Sequence, residues 1–577
     1  MTHPRSSPAA RPLALNAELQ ADPVYVREIA VVGAGVVGVP LAALFASAEL
    51  WAPDGAPARV TLVQRASPSA GWKVGAINAG RSPVGGLEPA LDELVAQGAG
   101  DGRLRATSEL ADVRDADVVI VCVQTGRRGM APEYGHLLDA LHGVAGALRQ
   151  RTVGSVPIVV VESTLAPTTM QTVVRPLFAQ HGLEEGRDLF LAHSPSRLAR
   201  GAVAERFAST DKLIGAFAPE AARRLAAVYG RVVTRGTVHC TDPTTAEVVK
   251  TLENAARDVR VAYAAEVARY CDARDVDYFA VRRRVNALLA AEGSVPRCGG
   301  LLVPTVGVGG QGLPRDGIYL WWRALEAGVN PARSLVLEAR RINDESPAEV
   351  LALVERCSGS VAGRSIALLG VAYRANSDDA RNSPTLALAR QLVARGALVR
   401  LHDPHVGAAD PVLVRSGLAG RFHRDLAEAL ATAEVVVVCV AHERYLRDGG
   451  RWRQHAQRLR TVIDACDAYH ASQIASTVVR YAGIGRGIGL PSAPLVAAVA
   501  AGLRAVERGL ANEVAMLVEC IDARLGTGGH ARLDLDAARR LTACCISRCE
   551  LDEPGSVERV PSVDGFRSRL VACAVDR

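Results

Sequence analysis

Apolar and polar positions along this chain fall into two alternating patterns. Residues 26–32, 59–63, 117–123 and 157–161 are short, nearly unbroken runs of Val, Ile, Leu and Ala. Runs of this length with no polar alternation suit strands buried on both faces of a parallel sheet. Between them lie longer stretches with apolar residues at helical spacing. The strand pattern returns at 365–372, 399–402 and 435–440. Separating the two groups is 244–269, a run without Gly or Pro that reads as one long helix, with Pro243 before it and Asp242 or Thr244 able to cap it. Beyond 485 the pattern is helical again, over 491–525 and 533–546.

This order predicts an α/β protein with two Rossmann-like doubly wound domains joined by a helical central domain. The expected divisions are a disordered tail (1–25), a first nucleotide-binding domain (26–235), a helical central segment (236–345), a second Rossmann-like domain (346–485) and a helical extension (486–577). A chain of 577 residues is long enough for several such domains.

Composition narrows the function classes. Hydrophobic residues make up 49% and charged residues 22%, the balance of a globular protein in water. No apolar run is long enough to span a bilayer, and the N-terminus lacks the apolar core of a signal peptide, so a cytoplasmic protein without a membrane partner is expected. The net charge of +6 is spread along the chain without basic clusters interleaved with aromatics, which argues against a nucleic-acid partner. The twelve cysteines show no repeated spacing and are expected to be reduced thiols. Cys544, Cys545 and Cys549 lack a second ligand pair, so packing is expected there and no metal site.

One compositional feature adds chemistry. Of 67 Lys and Arg residues, only Lys73, Lys212 and Lys250 are lysines. Lysine is a compact donor whose pKa burial can lower, whereas arginine stays charged. On the long helix, Lys250, Asn254 and Arg257 stand at spacing i, i+4, i+7 and share one face. They form either the wall of a site or a solvated stripe.

The first strand runs into Gly33-Ala34-Gly35-Val36-Val37-Gly38 and then a helix. This is GxGxxG in its strand–turn–helix context, where glycines let a pyrophosphate approach the helix N-terminus. The second strand ends in Gln64-Arg65, with Ser67 nearby, where an acidic residue commonly meets the ribose 2′-hydroxyl. An amide and a guanidinium tolerate a 2′-phosphate, so NAD or NADP is expected. Ligands in open α/β sheets bind beyond the carboxyl ends of the strands. Gln124-Thr125 and Glu162-Ser163-Thr164 stand at such ends.

Together these motifs resemble the UDP-glucose/GDP-mannose dehydrogenase family. The matching stretches run in order from VVGAGVVGVPLA and KVGAINAGRSPV through DVVIVCVQT, VVVESTLAPTTM and KLIGA. They continue through EVVKTLENAARDVRVAYAAEVA and VGVGGQGLPRDGIYL to LLGVAYRANSDDARNSPTLALARQLVARGALVRLHDPHV. The RDV and GVGG variants look most like the branch that oxidises UDP-N-acetylhexosamines. The resemblance implies a homodimer with the long helix at or near the interface, a nucleotide-sugar or related nucleoside substrate, and oxidation of a sugar C6 alcohol to a carboxylate by two NAD. In that reaction a cysteine thiolate adds to the intermediate aldehyde and a thioester is hydrolysed.

Carried over by position, the resemblance makes Lys250, Asn254, Thr164, Glu162 and Asp316 candidate catalytic residues. It makes Arg257, Arg297, Gly309, Gly310, Gly312, Tyr373, Arg374 and Arg381 candidates for the substrate. Arg381 could equally form a surface ion pair with Asp378 or Asp379. Residues beyond 485 have no counterpart in the family core. Two positions depart from the family. Its cysteine position is Gly312, and its usual glutamate position in Ser194-Pro195-Ser196 is Ser196. Both losses fall on the second half of the reaction. The expectation is an oxidoreductase limited to one hydride transfer, giving an aldehyde or ketone. The alternatives are an epimerase-type enzyme with a tightly bound cofactor, and an inactive binding subunit. Cys298 is a remote stand-in for the missing thiol.

Overall fold

The computed structural model describes residues 13–14, 25–85, 88–197, 203–291, 300–525, 533, 535–545, 560, 563 and 566–575. They fall into two compact units. One lies within 1–253, 318–329 and 515–550; the other lies within 254–317, 330–514 and 551–577.

The first unit holds a nine-stranded sheet. Its strands are β1 (Leu13–Ala14), β2 (Glu28–Val32), β3 (Arg59–Val63), β4 (Leu104–Thr107), β5 (Val118–Val121), β8 (Ile158–Val161), β9 (Phe190–His193), β10 (Lys212–Ala216) and β11 (Val238–Thr241), in the order β1-β11-β10-β9-β8-β5-β2-β3-β4. A separate hairpin pairs β6 (Gly126–Arg128) with β7 (Ala131–Glu133). β2, β5 and β8 are buried along their whole length, as their apolar runs require.

β2, β3, β5 and β8, the strands expected from the apolar runs, pair in parallel, whereas β10 pairs antiparallel with β9, and β1 antiparallel with β11. The structure corrects two expectations. Leu13–Ala14, placed in the expected disordered tail, pair with Cys240 and His239 at the sheet edge. β5 is shorter than 117–123, although the Cys122 amide still donates to the Val32 carbonyl at 2.8 Å.

The second unit holds five parallel strands, β12 (Ser365–Leu369), β13 (Leu398–His402), β14 (Val435–Val438), β15 (Thr461–Asp464) and β16 (Arg480–Gly483), ordered β13-β12-β14-β15-β16. Consecutive helices cover its faces, the doubly wound arrangement.

The long helix spans Pro243–Ala273. Asp242 caps it by accepting from the Thr245 amide at 2.9 Å, the use for which a carboxylate suits an N-cap. It ends before Asp275, which takes a left-handed conformation (φ 54). The extension contributes helices Ala493–Leu525, Leu535–Cys545 and Arg569–Val575. Among the described residues no helix is long and apolar enough to cross a membrane.

Candidate active site

In the first unit the chemistry gathers at the carboxyl ends of β2, β3, β5 and β8. The glycine turn has the shape a dinucleotide needs. Gly33 takes φ +114, and a Cβ there would meet the Cys122 carbonyl oxygen at 2.7 Å. A Cβ on Gly38 would collide with the Gly33 carbonyl at 2.0 Å. Nothing lies within 4 Å of where a Gly35 Cβ would stand, which leaves an open cradle before the Gly38–Ser47 helix. Val36 and Val37 are half-buried there. The turn is held from both sides: Gln64 Oε1 accepts from the Ala34 amide at 3.1 Å, and Lys73 Nζ donates to the Ala34 carbonyl at 2.8 Å. The Arg65 side chain is 69% exposed and forms a long ion pair with Asp139 at 3.9 Å. Gln124 is exposed, while Thr125 is buried and donates through Oγ1 to the Thr164 carbonyl at 2.9 Å.

Glu162 points into the protein, where Lys212 Nζ reaches its Oε1 at 2.7 Å and the Tyr229 hydroxyl donates to the same oxygen at 2.6 Å. Lys212 also donates to the Ser194 carbonyl at 3.0 Å and lies over the Tyr229 ring, 4.8 Å from its centroid. Burial lowers the Lys212 pKa, opposed by the Glu162 charge, and raises that of Tyr229. Ser196 lies in a small pocket with Asp211 and Lys212. Thr164 is half-buried at the rim.

Lys250 is 7% exposed. One turn earlier on the same helix, Glu247 accepts from the amides of Thr168 at 2.6 Å and Met170 at 2.7 Å, fixing the loop that follows Thr164. Sequence motifs single out neither Glu247 nor the roles of Lys73 and Lys212. The lysine count was the available signal for the last two.

His193 Nδ1 is 2.8 Å from the Val161 carbonyl, and its Nε2 is buried without a hydrogen-bond partner. Burial pushes its pKa down to about 3, and the Lys212 and Lys250 charges add to the effect. The unfolded histidine takes a proton near pH 6.5; the folded one does not until about pH 3. This group therefore costs stability as pH falls through that window, approaching about 1.4 kcal/mol per pH unit. Urea unfolding of His193→Gln should lose less stability than wild type between these limits. Parallel pH curves would refute the assignment.

In the second unit, Gly312 lies immediately before the Leu313–Glu326 helix. A Cβ at Gly312 would stand 2.8 Å from Asn254 Nδ2 and 3.7 Å from Asp316 Oδ2. Asn254 donates to Asp316 at 2.6 Å, and Arg315 holds the other carboxylate oxygen at 2.8 Å. Asn254 and Asp316 are buried. Arg257, expected on the same helical face as Asn254, is exposed.

The glycine loop rests on the second sheet's domain. Gly310 takes φ +80 with the Tyr373 ring 2.9 Å from where its Cβ would be, and a Gly309 Cβ would meet Tyr373 Cβ at 2.4 Å. The Gly310 amide donates to the Arg381 carbonyl at 2.8 Å, and Asn382 Nδ2 donates to the Gly310 carbonyl at 2.8 Å. Arg381 pairs with Asp379 and donates to Gln311 Oε1 at 2.6 Å. It is therefore a clamp on the loop as well as the ion pair that its sequence neighbours suggested. Arg374 is half-buried. Arg297 and Cys298, and the side chains of Cys544, Cys545 and Cys549, lie outside the described residues.

A glycine cradle on one doubly wound unit and a glycine loop clamped to another define a nicotinamide-dependent dehydrogenase of the nucleotide-sugar class. Residues 27–233 match the NAD binding domain of the UDP-glucose/GDP-mannose dehydrogenase family, 244–345 its central domain and 367–471 its UDP binding domain. The chain belongs to this family. It is 28% identical to the UDP-N-acetyl-D-mannosamine dehydrogenase of Pyrococcus horikoshii, over 80% of this chain and 99% of that protein. It is 30% identical to the NDP-N-acetyl-D-galactosaminuronic acid dehydrogenase of Ralstonia nicotianae, over 78% of this chain and 98% of that one. Among solved structures it is similar to an NDP-N-acetyl-D-galactosaminuronic acid dehydrogenase from Methanosarcina mazei (TM-score 0.64, 30% identity, 80% of this chain and 96% of that one). It is also similar to the UDP-D-ManNAc dehydrogenase of Pyrococcus horikoshii (TM-score 0.66, 28% identity, 80% and 99%).

Proposed function

We propose that this chain oxidises a nucleotide-activated sugar by one hydride transfer and stops at an aldehyde or ketone. The observation that carries the reading is Gly312. A thioester step needs a nucleophilic side chain at the reacting carbon, and this position has none. Beside it stands the Asn254 amide, tied to Asp316. Ser196, where the family usually carries a glutamate, adds to the case.

The residues present fit a nicotinamide dinucleotide, since the turn is open at Gly35 and closed at Gly33 and Gly38. Gly33, Gly35, Val36, Val37 and Gly38 would hold the pyrophosphate, with Gln64 and Arg65 toward the ribose and Gln124 and Thr125 along the strand ends. When bound it supplies the hydride acceptor. Lys250 holds the alcohol oxygen as its proton leaves to water, because a cation stabilises charge that develops there. Asn254, oriented by Asp316, and Thr164 position the sugar. Tyr373, Arg374 and Arg381 set the nucleotide side, with Gly309 and Gly310 allowing close approach. Glu162 acts indirectly, by fixing the end of β8 through Lys212. The exposed Arg65 keeps NADP in the assay beside NAD. The relatives' names make UDP-N-acetylhexosamines the first substrates to try.

Reduced cofactor counted against sugar consumed tests the reading. One per sugar, with an aldehyde or ketone by mass, is expected. Two per sugar with a carboxylate would overturn it, and a changed sugar without net reduction would identify transient oxidation. Gly312→Cys places a thiol beside the Asn254 amide, whose Nδ2 must shift by a few tenths of an ångström to admit the new Cβ. That variant should trap the product as a covalent adduct absent from wild type.

A further inference from the structure

The helical extension repeats the chain's own central segment. Glu513-Val514-Ala515 lies 247 positions after Glu266-Val267-Ala268, and at the same offset Arg504 follows Arg257. Next in each copy comes the pattern Asp-x-x-Ala-x-Arg-Arg, at 277–283 and 534–540. The third match is an Arg-Ser pair before a helix, Arg333-Ser334 before Leu335–Ser358 and Arg567-Ser568 before Arg569–Val575. The order of the three matches is the same in both copies.

The two copies meet as two subunits related by a two-fold axis would. In such a contact, residue i of one copy touches j of the other, and j touches i. Glu266 of the first copy accepts from Ser568 Oγ and the Arg569 amide, both at 2.7 Å. Glu513 of the second accepts from Ser334 Oγ at 2.6 Å and the Leu335 amide at 2.8 Å. Each glutamate thus binds the N-terminus of the other copy's last helix, with one oxygen on the serine and one on the next amide. Near the axis a residue should face its own equivalent. Glu507 lies 247 positions after Arg260, and these two form an ion pair. Both glutamates and both serines are buried.

We infer that residues 493–575 are a reduced second copy of the central segment, docked on the first in place of a partner subunit, so that the protein is a monomer with a single site. The second copy is blank where the first carries chemistry. At the shared offset Lys250 and Asn254 become Ala497 and Ala501, and nothing between Cys545 and Arg567 repeats the glycine loop. The homodimer implied by family resemblance is thereby replaced within one chain.

Sedimentation velocity of the full chain, over a wide concentration range and with NAD present or absent, tests this. One species near 60.8 kDa is expected. A dimer at all concentrations would overturn the inference. A charge swap checks the register. Arg260→Glu and Glu507→Arg should each lower the melting temperature, and the double variant should recover most of the loss while remaining a monomer. No recovery in the double variant would overturn the pairing of equivalent positions.

Discussion

Lys250→Met is expected to lower the rate of hydride transfer about 100- to 1,000-fold, the usual cost of deleting one donor to a developing oxyanion. Lys250 is buried on the long helix one turn before Asn254, which in turn binds Asp316. Arginine should not rescue it, because a planar fork cannot occupy the place of a compact ammonium. Nucleotide affinity, read by calorimetry with NAD alone, should be unchanged, since the glycine turn is built on other elements. Single-turnover rates of Lys250→Met near wild type would remove Lys250 from the reaction.

The second large effect is on stability. Lys212→Met should destabilise the first unit by about 3–5 kcal/mol, the cost of leaving one partner of a buried ion pair alone. The Glu162 side chain is fully enclosed, and one of its oxygens already lacks a partner. Removing Lys212 leaves it the Tyr229 hydroxyl. The melting transition should fall by roughly 10 °C. The double variant Lys212→Met/Glu162→Gln should recover much of this, because the uncompensated charge is gone. A loss below about 1 kcal/mol in the single variant would mean water reaches the pair.

Much of the architecture was legible because burial on both sheet faces writes itself as apolar runs. β3 occupies the expected residues, and the long helix extends the expected span by one residue at its start and four at its end. Strand direction was not legible. The reversal at β10 depends on how the chain crosses the sheet, and KLIGA reads the same either way. The inward turn of Glu162 was hidden for a related reason. A run buried on both faces has no parity, so the side of the residue at its end cannot be read. Gly312 was visible as a departure from the family pattern, but its neighbours Asn254 and Asp316 needed coordinates. The second copy of the central segment escaped notice because it keeps the contact residues Glu513 and Ser568 and drops those that make the motif recognisable.

That fusion changes what mutation can do. In a two-fold homodimer one codon dictates two sites at once, so any drift at the contact is tested twice and any loss of chemistry is total. Here the two halves of the contact have separate codons. Ala497 could arise while Lys250 stayed, and each glutamate latch can be tuned without its twin. Such a chain can become lopsided, a freedom that symmetry withholds from a pair of identical subunits.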